Sequence, residues 1–210
     1  MGRYLEGKCK LCRREGMKLF LKGTRCNTEK CSFVKRPTSP GMHGARRASK
    51  PTYYALQLRE KQKVKRIYGM LERQFHRFFQ LATKSKAVTG RRLLELLERR
   101  LDNVIYRALF ASSRNQARQI VLHGFVFIGG GRVDIPSYIV SQGQEIEIRA
   151  KDDVKKRLKE TIEMISKERS SPSWMQVDNS NFKIKIARLP EKEDLVLAVN
   201  EQLIVELYSK

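Results

Sequence analysis

The sequence predicts an α+β fold: a helical lobe, then a small module of two short helices packed on a small antiparallel sheet, with a cysteine-stapled segment ahead of both. Three observations predict it. All four cysteines fall within the first 31 residues. Apolar residues recur at helical spacing between positions 51 and 100, whereas strand-like alternation is confined to the chain beyond residue 125.

Residues 1–45 hold Cys9-x2-Cys12 and Cys26-x4-Cys31, with Pro37, Pro40 and several glycines. Such a composition builds no apolar core and needs a staple. Zinc takes four tetrahedral ligands, and two close cysteine pairs supply them at small entropic cost. Lys8, Lys10, Arg13, Arg14, Arg25, Lys30 and Lys35 surround these thiols and favour the thiolate form that binds metal. Disulfides or free thiols are the alternatives, the former disfavoured inside cells. The expectation is one structural Zn2+ on Cys9, Cys12, Cys26 and Cys31. No Glu or His is placed beside the pairs as a base, since His43 lies beyond Pro40, so the site is read as structural rather than catalytic.

Residues 46–98 form a basic helical region. From Pro51 to about Leu81, Leu56, Val64, Ile67, Leu71, Phe75, Phe78 and Phe79 recur at helical spacing. The polar link Lys84–Gly90 precedes a second run, Arg91–Arg100, that gathers Leu93, Leu94, Leu96 and Leu97.

Residues 99–150 form the module. A short helix over Arg100–Arg107 precedes a second over Ser112–Ile120. Ser113 with Gln116 reads as a capping box that sets where the second helix begins. Gly124 permits a left-handed helix end, and Gly129-Gly130-Gly131 a tight hairpin that exposes Arg132. The strand Glu145–Arg149 follows. Arg114 and Arg118, four residues apart, share a helix face, and Arg107 joins them from the preceding helix. Guanidinium groups at fixed spacing suit phosphates bidentately, although Asp102 or Glu98 could take some of them as partners. Ile120, Val121 and Leu122 are expected on the inner side, and His123 as a packing residue at the helix end.

Residues 151–210 are expected to complete the helical lobe. Val154, Leu158, Ile162 and Ile165 share one helix face, with Asp152 and Asp153 at its positive end. Ser170–Ser173 breaks the chain. Phe182–Ile186 alternates as a strand, and Leu203–Leu207 reads as another.

Charge narrows the partners. The chain carries 44 Lys and Arg against 22 Asp and Glu, a net +22. Residues 1–90 account for +18, residues 91–150 for +3 and residues 151–210 for +1. Self-repulsion on that scale asks for a polyanion. No apolar run approaches membrane-spanning length, Met1–Leu5 starts no signal-peptide core, and Glu6 fails the myristoylation pattern. The expectation is therefore a cytoplasmic protein with no membrane and no small-molecule substrate. A rigid scaffold that holds arginines in a set pattern suits folded RNA, which is recognised by shape and phosphate spacing. The expected RNA contacts are Arg59, Lys61, Lys63, Lys65 and Arg66 on the first long helix, and Arg107, Arg114, Gln116, Arg118 and Arg132 in the module.

The chain resembles the universal S-four family of small-subunit ribosomal proteins, in its four-cysteine branch. The resemblance runs from Gly2 to Lys210 through Gly2-Arg3-Tyr4, Pro40–Gly44, Gln57–Gly69, the module and Asn200–Lys210. Gly129 and Gly131 depart from the family's hairpin pattern. The resemblance implies a primary binder of 16S rRNA that nucleates the subunit body and neighbours ribosomal protein S-five. It also implies a place in the channel through which mRNA enters, with Arg46, Arg47 and Lys50 at the matching basic positions, and a contribution to translational accuracy. An RNA-modifying enzyme of the pseudouridine-synthase kind carries a similar module and a catalytic Arg-Leu-Asp. Here Asp102 of that triplet opens the module itself and is expected to cap a helix. No enzyme activity is expected.

Overall fold

The computed structural model describes residues 4–44, 50–194 and 199–209. The chain divides into two units, residues 1–94 with 197–210, and residues 95–196.

The first unit opens with α1 (Lys8–Glu15), which ends at Gly16 in the left-handed conformation, followed by a 3₁₀ turn at Gly23–Cys26 and by α2 (Ser32–Lys35). Within residues 4–44, Cys12, Leu19, Cys26 and Cys31 are the buried residues of apolar type. The helical stretch expected from Pro51 to Leu81 is in fact two helices, α3 (Tyr53–Ile67) and α4 (Glu72–Thr83). Thr52 caps α3 by accepting from the Ala55 amide, and Gly69 ends it at φ +63°. The Met70 amide then donates to the Lys65 carbonyl, closing the helix end before the chain turns. Val64, Ile67, Phe75, Phe78 and Phe79 are buried as the periodicity requires. α5 (Thr89–Glu98) carries the chain into the second unit.

One expectation is overturned in the first unit: Leu203–Leu207 is not a strand but the centre of a helix, α9 (Glu201–Tyr208). Asn200 caps it by accepting from the Gln202 amide, and Glu201 lies in its first turn. α9 packs on α3, and the Tyr208 ring stacks on Phe79 with centroids 4.5 Å apart. A five-residue stretch with four apolar residues is compatible with either state until a partner is known.

The second unit contains α6 (Leu101–Arg107), α7 (Arg114–Leu122), β1 (Val126–Ile128), β2 (Gly131–Arg132), β3 (Glu145–Ile148), α8 (Asp152–Ser166), β4 (Met175–Asp178) and β5 (Lys183–Ile186). The five strands form one antiparallel sheet in the order β2-β1-β3-β5-β4. Ile146, Ile148, Ile184 and Ile186 point into one core with Val104, Ile105, Phe110, Leu158, Ile162 and Trp174. Glu145 and Lys185 face outward as a cross-strand pair 3.4 Å apart. Residues 151–210 therefore do not all complete the helical lobe. β5 satisfies the backbone of β3, and α8 buries Leu158 and Ile162 in the module's own core, so only the last helix returns to the first unit. Ile120 and Val121 of α7 are buried as expected, while Leu122 is exposed.

Candidate nucleic-acid interface

The arginines of α6 and α7 are held by a chain of hydrogen bonds that begins at a buried acid. Glu98 is 1% exposed and accepts from Arg107 twice, Nε to Oε2 at 3.0 Å and Nη2 to Oε1 at 2.8 Å. Asn103 Nδ2 donates to the same carboxylate at 2.7 Å, which turns its carbonyl oxygen toward Arg114 Nε at 2.8 Å. The Arg114 guanidinium then lies 4.4 Å from the Tyr106 ring centroid. Each group orients the next, so side chains that are mobile in isolation are set in place by packing on α6.

Arg118 is placed differently. It is buried, with Nη1 3.6 Å from Asp102 Oδ2, and Asp102 also accepts from Arg100 Nε at 3.1 Å and Nη2 at 2.8 Å. Asp102, expected as a helix cap, sits in the first turn of α6, and its carboxylate binds these guanidiniums instead of the helix backbone. The Asp102 carboxylate is thereby engaged inside the module. Half of the expected capping box forms. Ser113 Oγ accepts from the Gln116 amide at 3.3 Å, but Gln116 Oε1 accepts from the Ser112 amide and hydroxyl, both at 2.7 Å, not from Ser113. Gly129 and Gly130, at φ +56° and +84°, make the two-residue hairpin turn. Arg132 is exposed, and its guanidinium rests on Gly124, where any Cβ would collide with it. Gly124 is needed for the backbone, since it ends α7 at φ +73°, and the flexible Arg132 side chain lies over it.

In the first unit, α3 presents the other expected contacts. Arg59 Nη1 lies 3.2 Å from Glu15 Oε1, and Arg66 pairs with the same oxygen. The Glu15 side chain is wholly buried, and burial pushes its carboxyl up against the pull of Arg66 and Arg59. Lys61 and Lys65 donate to the two oxygens of Glu72 at 2.8 and 2.9 Å. Burial alone would raise Glu72, but hydrogen bonds from Lys61, Tyr208 and Lys65 outweigh it and bring its pKa down to about 2. Lys63 pairs with Glu60. Lys50 is exposed, whereas Arg46 and Arg47 lie outside the described residues.

None of the four cysteines is in a disulfide; Cys12, Cys26 and Cys31 are buried and Cys9 is half-buried. The Lys22 amide donates to Cys26 Sγ at 3.4 Å. The basic surroundings do not dominate at Cys12 and Cys26, because burial pushes both thiols up. Among the described residues, no three His, Cys, Asp or Glu side chains converge closely enough to hold a metal ion.

Three groups escaped the sequence reading. Asn103 and Tyr106 lie three residues apart on α6, a spacing visible in the sequence but without a partner to give it meaning. Arg169, just beyond α8, reaches Tyr106 at 4.3 Å from the ring centroid, and no local signal marks it.

Fixed guanidiniums on a small helix-and-sheet module, with a basic helical unit beside it in the chain, define the class of RNA-binding proteins built on an S4 domain. The S4 domain family matches residues 99–146, and the ribosomal protein S4/S9 N-terminal domain family matches residues 3–98. The small ribosomal subunit proteins uS4 of Thermodesulfovibrio yellowstonii, Caldicellulosiruptor saccharolyticus and Dictyoglomus thermophilum are 56%, 54% and 52% identical to it over the whole of both chains. The chain belongs to the uS4 family of small ribosomal subunit proteins. No helix among the described residues is long and apolar enough to cross a membrane.

Proposed function

We propose that this chain, a structural constituent of the small ribosomal subunit and not an enzyme, acts there as a primary binder of 16S rRNA that nucleates the subunit body. The hydrogen-bond chain from Glu98 to Arg107, Asn103 and Arg114 carries this reading, because preset guanidiniums match a phosphate path without the ordering cost of free side chains. Arg107, Arg114, Gln116 and Arg132 form the module's part of the interface, and buried Arg118 acts as a positioning residue behind them. Arg59, Lys61, Lys63, Lys65 and Arg66 of α3 add phosphate contacts, released in part from Glu15, Glu60 and Glu72 when RNA arrives. Arg46, Arg47 and Lys50 supply positive charge for mRNA in the channel through which it enters, and ribosomal protein S-five is the neighbouring protein.

The test is competition between a small-subunit rRNA fragment and excess bulk tRNA across a salt series. The expected result is a preference for the rRNA fragment that survives high salt, with Arg114→Ala weakening binding and flattening the salt slope. Equal collapse of both complexes means that charge alone binds, and overturns the reading.

One structural Zn2+ on Cys9, Cys12, Cys26 and Cys31 belongs to the same proposal. The two close cysteine pairs within the first 31 residues and the burial of three of the four thiols support it. When bound, the ion would neutralise thiolates that otherwise repel one another and would tie α1 to α2. Metal analysis of protein purified without chelator checks this, and less than one zinc per chain removes it.

A further inference from the structure

The positive charge of the second unit is concentrated in one short segment. Residues 149–159 carry six Lys and Arg against two Asp and Glu, whereas the rest of residues 95–196 carry 12 against 13. The excess therefore belongs to the end of β3 and the first half of α8, beyond the stretch that matches the S4 domain family. That segment and the β4–β5 turn together line a groove of about 630 Å³. Its walls are set by hydrogen bonds. The Ile148 amide donates to the Phe182 carbonyl at 3.0 Å, and Asp178 Oδ1 accepts from the amides of Ser180 and Asn181 at 3.0 and 3.1 Å. Arg149 is held by Glu147, Nε to Oε2 at 2.8 Å, with its guanidinium 4.7 Å from the Phe127 ring centroid. The lysines of the groove are not matched in that way. Lys155 reaches Asp152 at 3.6 Å, but that carboxylate is fully exposed, and surface pairs of this kind are weak. Lys156 and Lys159 form no ion pair among the described residues. Glu160 and Glu163 each stand four residues further along α8, the weaker order for such a pair.

We propose that this groove is a second seat for the backbone of folded RNA, in which Lys155, Lys156 and Lys159 contact phosphates. The inference rests on the RNA-binding reading above and extends the interface beyond the arginines of α6 and α7. A solvated helix face spreads its charges, whereas these converge on one concavity, whose walls focus the field on an incoming anion. Glu147 is taken by Arg149, so the charge left to the groove is that of the lysines. An ammonium is a compact point charge on a flexible stem, which suits a phosphate path without the fixed two-point geometry of a guanidinium.

The full-length protein is titrated with the small-subunit rRNA fragment across a salt series. The parent is compared with Lys156→Gln plus Lys159→Gln and with Lys156→Arg plus Lys159→Arg. A third variant, Arg157→Gln plus Lys167→Gln, removes the same charge from α8 and its end, outside the groove. Gln and Lys have similar helix propensities, so α8 is retained in each. The groove Gln pair is expected to lower the log–log salt slope by about 1.4 to 1.8, the loss of two phosphate contacts, and to weaken binding roughly 25- to 60-fold at about 0.1 M salt. The Arg pair and the charge-matched control keep the parental slope. In the parent–RNA complex, lysine acetylation read by mass spectrometry finds Lys156 and Lys159 protected and Lys167 still reactive, a readout independent of any variant's stability. A parental slope in the groove Gln pair, or an equal loss in the control, overturns the groove. Lysines as reactive in the complex as in the free protein overturn it as an RNA seat and leave it to an acidic protein segment. A parent that prefers the rRNA fragment no more than bulk tRNA sinks the RNA-shape reading itself, a distinct result, and the groove with it.

Discussion

Residues 1–94 with 197–210 carry 26 Lys and Arg against 7 Asp and Glu, whereas residues 95–196 carry 18 against 15. The two units anchor their cations accordingly. In the basic unit, acids are shared: Glu15 takes both Arg59 and Arg66, and Glu72 takes Lys61, Lys65 and the Tyr208 hydroxyl. In the second unit, Glu98 and Asp102 are buried and each directs particular arginines with two-point geometry. Scarce acids leave an excess of positive charge, which attracts polyanions without regard to shape. Buried, matched acids fix guanidiniums at set positions, which is what recognition of one RNA shape requires. On the proposed function, affinity and register draw on different parts of the chain.

The largest effect that would sharpen this contrast comes from the staple. On the zinc proposal, Cys26→Ser, or treatment with a chelator, is expected to remove on the order of 10 kcal/mol of binding-coupled folding from the amino-terminal segment. Limited proteolysis should then cut within residues 4–44 and spare 95–194; equal protection of both would break the contrast. Next comes the buried acid. Glu98→Ala removes the buried carboxylate that Arg107 and Asn103 share and should cost about 3–5 kcal/mol in chemical denaturation. A cost under about 1 kcal/mol, typical of a surface pair, would show that the second unit is no more dependent on its acids than the first.

Helix caps give a smaller, paired comparison. Ser113→Ala, at a buried cap, should destabilise by about 1–2 kcal/mol, and Thr52→Ala, at an exposed one, by about 0.5–1 kcal/mol. Equal melting shifts would show that burial adds nothing to the cap. The smallest effect is acid-dependent. Glu72 has its folded pKa depressed to about 2, so its contribution is present above the ordinary carboxylate range and is lost as pH falls toward 2. Its carboxylate is partly solvent-exposed, so screening keeps the change modest. Melting curves between pH 5 and 2 should show Glu72→Gln converging on the parent at the acid end. A constant difference across that range would contradict the linkage.

Much of the fold was legible in the residues. Val154, Leu158, Ile162 and Ile165 mark α8, Gly124 marks the end of α7, and the glycines at 129–131 mark the hairpin, because each signal is complete within a few residues. The site was legible by residue type but not by partner. Arg107, Arg114 and Arg118 read alike in the sequence, yet one pairs with Glu98, one leans on Tyr106 and one is buried near Asp102. Which arginine meets which acid depends on how α6 and α7 pack, and spacing along one helix does not encode that.

The sequence by itself determined the charge asymmetry, the clustered cysteines, the helical and strand periods and the turn glycines, since these act through local backbone preference and composition. Tertiary structure decided the rest. Leu203–Leu207 became a helix because Asn200 caps it and α3 receives it. The β4–β5 hairpin joined the module because β3 offered an unpaired edge. Arg169 reached Tyr106 because a sheet and a helix folded the intervening chain back toward α6. Each of these outcomes is a choice among distant partners, settled by which packing buries the apolar face and satisfies the backbone.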